Sequence, residues 1–188
     1  MSSRAGDKPP IQPNLVLVGF MGTGKSAVGR ALAARLGRPL VDTDLRLAHR
    51  AGLSIPEIFR AHGEERFREL ETEEARRVSR PAGLVVSTGG GILGRDENVE
   101  LLRRGGVLIR LTSRPEVILR RTAPWDNRPM LATAADPRAA VERLLAVREA
   151  RYALADWTLD TSDLSVDQVV EEICAALPSL YRAAATRF

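Results

Sequence analysis

The sequence predicts a single α/β domain in which helices cover both faces of a mainly parallel sheet. Five short apolar segments alternate along the chain with segments whose apolar residues recur at helical spacing. The first apolar segment, residues 14–20, leads into a glycine-rich loop and then a helix. The length of 188 residues and the apolar content of 44% suit one compact domain. Ligands of such sheets bind at the carboxyl ends of the strands, so we expect functional residues in the loops that follow them.

Local patterns predict the bounds of each strand and helix. Gly37 is expected to end the first helix, and Gly63 to separate the third helix from the fourth. Strands are predicted at residues 14–20, 39–42, 83–88, 106–111 and 157–160. Helices are predicted at residues 25–37, 45–52, 54–63, 64–79, 97–105, 116–122, 136–155 and 166–177. We therefore expect one domain over residues 14–177, between flexible tails at residues 1–13 and 178–188.

Three helix starts carry a capping-box pattern, in which a serine is followed three residues later by Glu or Gln. The pairs are Ser54 with Glu57, Ser113 with Glu116, and Ser165 with Gln168. In such a box the two residues exchange side-chain to backbone hydrogen bonds. We expect a helix to begin directly after each of these serines.

Composition excludes several classes of function. The formal charge of +4 comes from basic residues spread among 24 acidic ones without a run of like charge, which favours a solvated surface over a nucleic-acid site. The single cysteine, Cys174, excludes an intramolecular disulfide, and His49 and His62 lack the cysteine partners of a metal site. No apolar run approaches a membrane span, and the N-terminus lacks a signal-peptide pattern. We therefore expect a cytoplasmic protein without nucleic-acid or membrane partners.

The loop GFMGTGKS, residues 19–26, fits the phosphate-binding pattern GxxxxGK[ST] between a strand and a helix. Glycines let backbone N–H groups turn toward phosphate oxygens, and the helix N-terminus adds partial positive charge. Lys25 is predicted to reach the β and γ phosphates of a nucleoside triphosphate, which we take to be ATP, and the Ser26 hydroxyl to ligate Mg²⁺. The nucleotide-binding residues predicted in this segment are Gly22, Thr23, Gly24, Lys25, Ser26 and Ala27.

Lysine usage supports this interpretation of the loop. Of the 28 basic residues, 26 are arginine, and the second lysine, Lys8, lies in the predicted N-terminal tail. Lys25 is therefore the only lysine of the predicted domain. A compact ammonium on a flexible stem is not interchangeable with a planar guanidinium, so its use here indicates a site that requires lysine.

A pair of carboxylates, Asp42 and Asp44, follows the second predicted strand in the segment PLVDTD. In an extended segment, side chains two residues apart point to the same side. One carboxylate can then face the magnesium ion while the other faces an acceptor hydroxyl, and the residues alone leave open which does which. The ordinary alternative is a turn or helix cap, because Asp is common just after strands.

Taken together, these segments resemble the shikimate kinase family. The resemblance rests on GFMGTGKS, LVDTD, GEERFRELE, VVSTGGG, RRT followed by NRPML, and VREARY, in the order and approximate spacing of the family, and it covers about residues 14–177. The phosphate loop alone occurs in many ATPases and kinases, whereas its combination with DTD, FR and GGG is specific. The resemblance implies a P-loop kinase fold: three α/β/α layers, a central five-stranded parallel sheet and a mobile lid over about residues 123–135.

The resemblance also implies an acceptor site for shikimate beside the phosphate loop. Asp44 would bind the acceptor hydroxyls and serve as the base, and Asp42 would hold Mg²⁺ through water. The backbone of Gly89, Gly90 and Gly91 would approach the ring, because these residues have no side chains.

Two arginines would bind the shikimate carboxylate, Arg68 in FRELE and Arg148 in VREARY. For Arg68, the residues alone favour ordinary surface pairs with Glu64 and Glu71, which lie four and three positions away on the same predicted helix. For Arg148 the alternative is a solvent-exposed arginine. The family also uses a residue at the position of Glu71 to orient its neighbours.

Two further arginines would contact the nucleotide. Arg128, in the lid, would come over the γ-phosphate and stabilise the charge that develops during transfer. Arg121, in RRT, would pack on the adenine. A second adenine arginine, which the family carries after the last strand, is absent, because residues 160–167 are DTSDLSVD. We therefore expect one-sided adenine stacking.

The predicted function is ATP-dependent phosphorylation of the 3-hydroxyl of shikimate by a monomeric enzyme. One alternative is a kinase of another small hydroxylated carboxylic acid, such as gluconate. Another is a non-catalytic ATP-binding regulator, which the loss of Lys25, Asp44 or Arg128 would have favoured. All three residues are present.

Overall fold

The computed structural model describes residues 12–123 and 136–187. Its strands form one sheet in the order β2-β3-β1-β4-β5, and every neighbouring pair is parallel. The strands are β1 (Asn14–Val18), β2 (Leu40–Asp42), β3 (Val85–Ser87), β4 (Gly106–Thr112) and β5 (Trp157–Asp160). The predicted five-stranded parallel sheet is confirmed.

Helices lie on both faces of this sheet. The described residues form α1 (Lys25–Leu36), α2 (Thr43–Ala51), α3 (Ile55–Val78), α4 (Asp96–Gly105), α5 (Pro115–Thr122), α6 (Pro137–Tyr152) and α7 (Val166–Ala184). Leu15 and Leu17 of β1 pack in the cluster with α1 and α7, whereas Val16 and Val18 pack with α3, α4 and α6. Successive side chains of a strand point to opposite faces, so the predicted three-layer arrangement is confirmed.

The helices α2 and α3 pack on each other through a separate apolar cluster of Leu47, Ile58 and Phe67. Within α3 the helical conformation is interrupted at Gly63, where φ is 77°. Glycine adopts this left-handed backbone without steric cost. The predicted separation of two helical segments at Gly63 is confirmed.

Two of the three predicted capping boxes are confirmed. At Ser54 and Ser165, both hydrogen bonds of the box are present. The third is wrong, because Arg114 is the residue that precedes α5, and Ser113 is buried with its hydroxyl 3.3 Å from that of Ser162. The loop after β5 takes the place of the box, since the Ser162 hydroxyl accepts a hydrogen bond from the Arg114 backbone N–H at 2.9 Å.

The predicted C-terminal boundary at residue 177 is also wrong. Helix α7 continues through Pro178 to Ala184, so most of the expected tail is helical. A proline inside a helix removes one backbone hydrogen bond and crowds the preceding turn. Leu180 and Ala184 are nevertheless buried in the cluster beside α1, and this apolar burial outweighs the local cost.

Two predicted segments fall largely outside the described residues. They are the N-terminal tail, of which residues 1–11 are not described, and the lid, of which residues 124–135 are not described. Among the helices of the described ranges, none is both long enough and apolar enough to cross a membrane.

Candidate active site

The predicted site residues gather at the carboxyl ends of the strands. A cavity of about 340 Å³, which we call the nucleotide cavity, is lined by the phosphate loop after β1, by Asp42 at the end of β2 and Asp44 in the first turn of α2, and by Gly90 after β3. A second cavity of about 330 Å³, which we call the acceptor cavity, is also lined by Gly90 and extends to α3 and α6. We define the nucleotide half of the site as residues 19–27 with Arg121, and the acceptor half as Asp44, Arg68, residues 89–91 and Arg148.

All three glycines of the phosphate loop have a positive φ, which side chains disfavour. Gly22 has φ 76°, and a Cβ there would lie 2.7 Å from the Thr122 methyl carbon. Gly24, with φ 96°, is the N-cap of α1. Left-handed backbone of this kind lets successive N–H groups converge on one anion. The loop is therefore shaped for phosphate, as its sequence pattern predicts.

Lys25 is buried at the start of α1, with 8% of its surface exposed. Its Nζ donates hydrogen bonds to the carbonyl oxygens of Gly19 and Phe20, both at 2.7 Å. The Thr23 hydroxyl donates to the same Phe20 carbonyl at 2.9 Å. The ammonium thus lies over the curve of the loop and lines the nucleotide cavity.

Three oxygen-bearing side chains meet beside the lysine. The Ser26 hydroxyl donates to Oδ2 of Asp42 at 2.9 Å and lies 3.4 Å from the Ser87 hydroxyl. Asp42 is oriented by its other oxygen, which accepts from the Leu45 N–H and caps α2. Carboxylate and hydroxyl oxygens are the ligands that Mg²⁺ prefers. Within the described ranges there is no group of three or more His, Cys, Asp or Glu residues that could hold a metal ion.

The structure corrects the argument for the carboxylate pair. The segment is not extended through both residues, because β2 ends at Asp42 and Asp44 lies in the first turn of α2. Both carboxylates nevertheless line the nucleotide cavity. Asp42 contacts Ser26, whereas Asp44 packs against Gly89, so the two carboxylates occupy different positions in the site.

The outer glycines of the triplet leave room for charged side chains. A Cβ on Gly89 would lie 2.5 Å from Oδ1 of Asp44, and a Cβ on Gly91 would overlap Nη1 of Arg68. We predicted that these glycines let the backbone approach a ligand. The structure adds a second reason, because they also let one carboxylate and one guanidinium approach the backbone.

Arg68 lies between two glutamates of its own helix. Its Nη1 donates to Glu71 at 2.5 Å, and its Nη2 donates to Glu64 at 3.0 Å. Glu71 is buried, and burial raises the pKa of its carboxyl above the ordinary value, an effect that Arg68 partly offsets and that the charge of Asp44 adds to. Both pairs considered for Arg68 are therefore present, but only the one with Glu64 is at the surface, and the same arginine lines the acceptor cavity.

Arg148 and Tyr152 of α6 both contact the middle glycine of the triplet. The carbonyl oxygen of Gly90 accepts hydrogen bonds from Arg148 Nη1 at 3.2 Å and from the Tyr152 hydroxyl at 2.7 Å. The Arg148 guanidinium lies 5.5 Å from the ring centroid of Phe20 in the phosphate loop. Arg148 is half-buried at the junction of the two halves, not a solvent-exposed arginine.

Arg121 is anchored by the loop after β5. Its Nη1 donates to the Thr161 hydroxyl at 3.0 Å and its Nη2 to the Thr161 carbonyl at 2.7 Å. The Thr161 hydroxyl lies 3.1 Å from the carbonyl oxygens of both Thr23 and Thr112. The loop after β5 thus links Arg121 to the phosphate loop and to β4.

Sequence reasoning missed three residues of this region: Ser87, Arg110 and Thr161. Ser87 and Arg110 carried a signal, as polar residues in otherwise apolar strands. Thr161 carried none, because its role depends on which segments lie next to the end of β5. The predicted lid residue Arg128 lies outside the described residues.

A lysine-bearing phosphate loop after the central strand of a five-stranded parallel sheet is typical of P-loop nucleotide-binding proteins, among them ATPases and kinases. The family profile described as Shikimate kinase matches residues 21–178. Over 160 residues, 85% of this chain and 88% of the relative, the sequence is 49% identical to the Shikimate kinase of Geobacter sulfurreducens. The chain belongs to the shikimate kinase family, and it is an ATP-dependent kinase that acts on an alcohol group of shikimate.

Solved structures agree with this assignment. A shikimate kinase from Acinetobacter baumannii in complex with shikimate superposes with a TM-score of 0.84 at 35% identity, covering 89% of this chain and 94% of that one. A gluconokinase from Sinorhizobium meliloti gives a TM-score of 0.60 at 18% identity, covering 95% of this chain and 99% of that one. At so low an identity, the second likeness concerns the fold alone.

Proposed function

We propose that the chain transfers the γ-phosphoryl group of ATP to the 3-hydroxyl of shikimate, giving 3-phosphoshikimate and ADP on the route to chorismate and the aromatic amino acids. One observation carries the proposal: Arg68, Arg148 and Asp44 meet around the glycine triplet beside the phosphate loop. Two guanidinium groups suit a carboxylate, and a carboxylate suits hydroxyl groups. This pocket therefore favours a small hydroxylated carboxylic acid as the acceptor.

In the nucleotide half, the loop backbone and Lys25 bind the phosphates. When ATP binds, the ammonium exchanges the carbonyl oxygens of Gly19 and Phe20 for β and γ phosphate oxygens. Arg121, held by Thr161, packs on one face of the adenine. The residues proposed to contact the nucleotide are Gly22, Thr23, Gly24, Lys25, Ser26, Ala27 and Arg121.

The oxygen atoms beside the loop fit a magnesium ion. Ser26 would be a direct ligand and Asp42 would act through water, with Ser87 next to both. When bound, Mg²⁺ neutralises charge on the β and γ phosphates. The pairing of Ser26 with Asp42 holds these two oxygens together in advance of binding.

Transfer requires that the acceptor hydroxyl lose its proton as it attacks. Asp44 accepts this proton while the hydroxyl oxygen bonds to the γ-phosphorus. The bond from the γ-phosphorus to the bridging oxygen breaks, and its electron pair leaves with ADP. Arg68 exchanges its exposed partner Glu64 for the substrate carboxylate, whereas buried Glu71 keeps the guanidinium in place. Arg148 binds the same carboxylate, so the acceptor is oriented before the reaction.

The last proposed role is that of Arg128, and it rests on the sequence alone because Arg128 lies outside the described residues. Its cation would stabilise the transferring group from the side of the lid, and closure of a lid would exclude water as a competing acceptor. We further propose that the enzyme is a monomer. We place it in the cytoplasm, where ATP is supplied.

The proposal is tested by measuring ADP release from MgATP with and without shikimate, using quinate, gluconate and a nucleoside monophosphate as competing acceptors. We expect turnover that requires shikimate and that stops when magnesium is chelated. Turnover with gluconate in place of shikimate would retain the nucleotide half and refute the acceptor assignment. ATP binding without any turnover would indicate a regulator instead.

The role of Asp44 has a sharper test. Asp44→Asn is expected to abolish transfer while the dissociation constant for ATP stays within about twofold, because Asp44 belongs to the acceptor half. Asp167→Asn is the matched control, since Asp167 also lies in the first turn of a helix and is exposed. Equal loss of transfer and ATP binding in Asp44→Asn would refute its assignment as the base.

A further inference from the structure

Arg110 is a buried charge in a strand that is otherwise mostly apolar. It lies in β4 on the same face as Leu108, toward α6, and only 9% of its surface is exposed. Removing a charge from water is costly unless good hydrogen-bonding geometry compensates. The proposed transfer reaction assigns no role to this arginine, so its partners require an explanation.

Those partners lie on the last turns of α6. Nη1 and Nη2 of Arg110 donate to the two carboxylate oxygens of Glu149, at 2.8 and 2.6 Å. This is a two-point contact, which defines orientation as well as distance. The guanidinium also lies 5.2 Å from the ring centroid of Tyr152, within the range of a cation–π contact. Arg110 therefore holds two residues of the same helical segment at once.

The same segment carries the side chains that reach the acceptor half. Arg148 is the neighbour of Glu149, and both Arg148 and Tyr152 donate hydrogen bonds to the Gly90 carbonyl. A shift of this turn relative to β4 would move the Arg148 guanidinium. The central sheet is thus connected to an acceptor-binding arginine through one ion pair and one ring.

We propose that Arg110 is a positioning residue, which sets the place of Arg148 and Tyr152 against the glycine triplet through its contacts with Glu149 and the Tyr152 ring. The inference rests on the proposed function, because it takes Arg148 to be a ligand of the acceptor carboxylate. It concerns binding of the acceptor and not of the nucleotide.

The solvent side of this turn is held separately. Arg151 donates to the Gly94 carbonyl at 2.8 Å and to Asp96 at 2.6 Å. Because Arg151 still anchors the solvent side, loss of the Arg110 contact should shift the turn without unfolding the helix. Glu149 is the better residue to change, since its side chain is 58% exposed and its removal places no new group in the core.

The test compares Glu149→Gln with Glu142→Gln. Glu142 lies on the same helix and pairs with an exposed arginine, Arg138, four positions away, so its loss removes similar chemistry without a link to the acceptor half. We expect Glu149→Gln to raise the KM for shikimate about tenfold, with the KM for ATP unchanged, because small displacements of binding groups have large effects. Glu142→Gln should leave both values unchanged. An equal rise of both KM values in Glu149→Gln, or a lower melting temperature with no change in KM, would overturn the proposal.

A double-mutant cycle with Arg148→Ala separates positioning from a merely structural role. If Glu149 acts through Arg148, the effect of Glu149→Gln on the KM for shikimate should disappear in the Arg148→Ala background. An undiminished effect in that background would overturn the proposal. If Arg148→Ala alone leaves the KM for shikimate unchanged, the proposed acceptor site fails. If Arg148→Ala raises it but Glu149→Gln does not, only the positioning role fails.

A second variant approaches the same contact from the sheet. Arg110→Met keeps an unbranched side chain and removes the charge, so we expect the same selective rise in the KM for shikimate. If this variant does not fold, Glu149→Gln and the cycle still decide the question. Folded Arg110→Met with wild-type KM values would overturn the proposal.

Discussion

The nucleotide half is made almost entirely from consecutive residues 19–27, whereas the acceptor half comes from α2, α3, the loop after β3, and α6. In the nucleotide half the backbone sets the geometry, through left-handed glycines and the start of α1. In the acceptor half the geometry depends on side chains that reach the glycine triplet from three helices. A local motif builds most of the first half, but only the complete fold builds the second.

The two halves also differ in how they hold their charges. The Lys25 ammonium donates hydrogen bonds to two carbonyl oxygens of its own loop, where it lines the nucleotide cavity. Arg68 lies between two glutamates. Loss of the lysine should therefore affect the reaction severely, whereas changes in the acceptor half should have graded effects that are specific to one substrate.

The largest effect is expected from Lys25→Met. Removing the ammonium takes away the cation proposed to contact the β and γ phosphates, and we expect kcat to fall by about 10³-fold or more. Lys25→Arg should remain at least tenfold impaired, because the planar guanidinium does not fit the curve of the loop. Steady-state kinetics measure both effects, and calorimetry should show unchanged affinity for shikimate. Loss of shikimate binding in Lys25→Met would contradict the separation of the two halves.

Arg68→Lys should give the next largest effect, this time confined to the acceptor. Lysine keeps the charge but cannot make a two-point contact with a carboxylate, so we expect the KM for shikimate to rise about tenfold while the KM for ATP stays unchanged. Arg66→Lys is a suitable control, since Arg66 is an exposed arginine of the same helix that pairs with Glu69. A rise in the KM for ATP would show that the halves are coupled.

Gly91→Ala should have a smaller effect of the same kind. Its Cβ would overlap Nη1 of Arg68, which lies at the end of a flexible side chain and can move aside. We therefore expect a normal melting temperature and a rise in the KM for shikimate of about fivefold. The control is Gly94→Ala, because nothing lies within 4 Å of a Cβ at that position. Identical kinetics for the two variants would contradict the idea that the triplet leaves room for Arg68.

The contrast between the halves also explains what the sequence can predict. The phosphate loop and all five strands follow from local patterns, and they are found where those patterns place them. The cap of α5 and the end of α7 were mispredicted, because buried contacts with distant segments override the local signals of Ser113 and Pro178. The Arg68 pairings show a further limit. Sequence spacing offered surface pairs or ligand binding as alternatives, while the structure shows glutamate-paired Arg68 lining the acceptor cavity.

Thr161 shows how the nucleotide half also depends on the complete fold, and it provides the smallest predicted effect. Thr161→Val keeps the shape of the side chain but removes the hydroxyl that accepts from Arg121, while the bond from Arg121 to the Thr161 carbonyl remains. One lost hydrogen bond corresponds to about 1 kcal/mol, so we expect the KM for ATP to rise about fivefold with the KM for shikimate unchanged. Arg121→Ala should then abolish any further effect of Thr161→Val on ATP binding, because both substitutions would act on the adenine contact proposed for Arg121. Additive effects would instead mean that Thr161 supports the phosphate loop directly, through its contact with the Thr23 carbonyl.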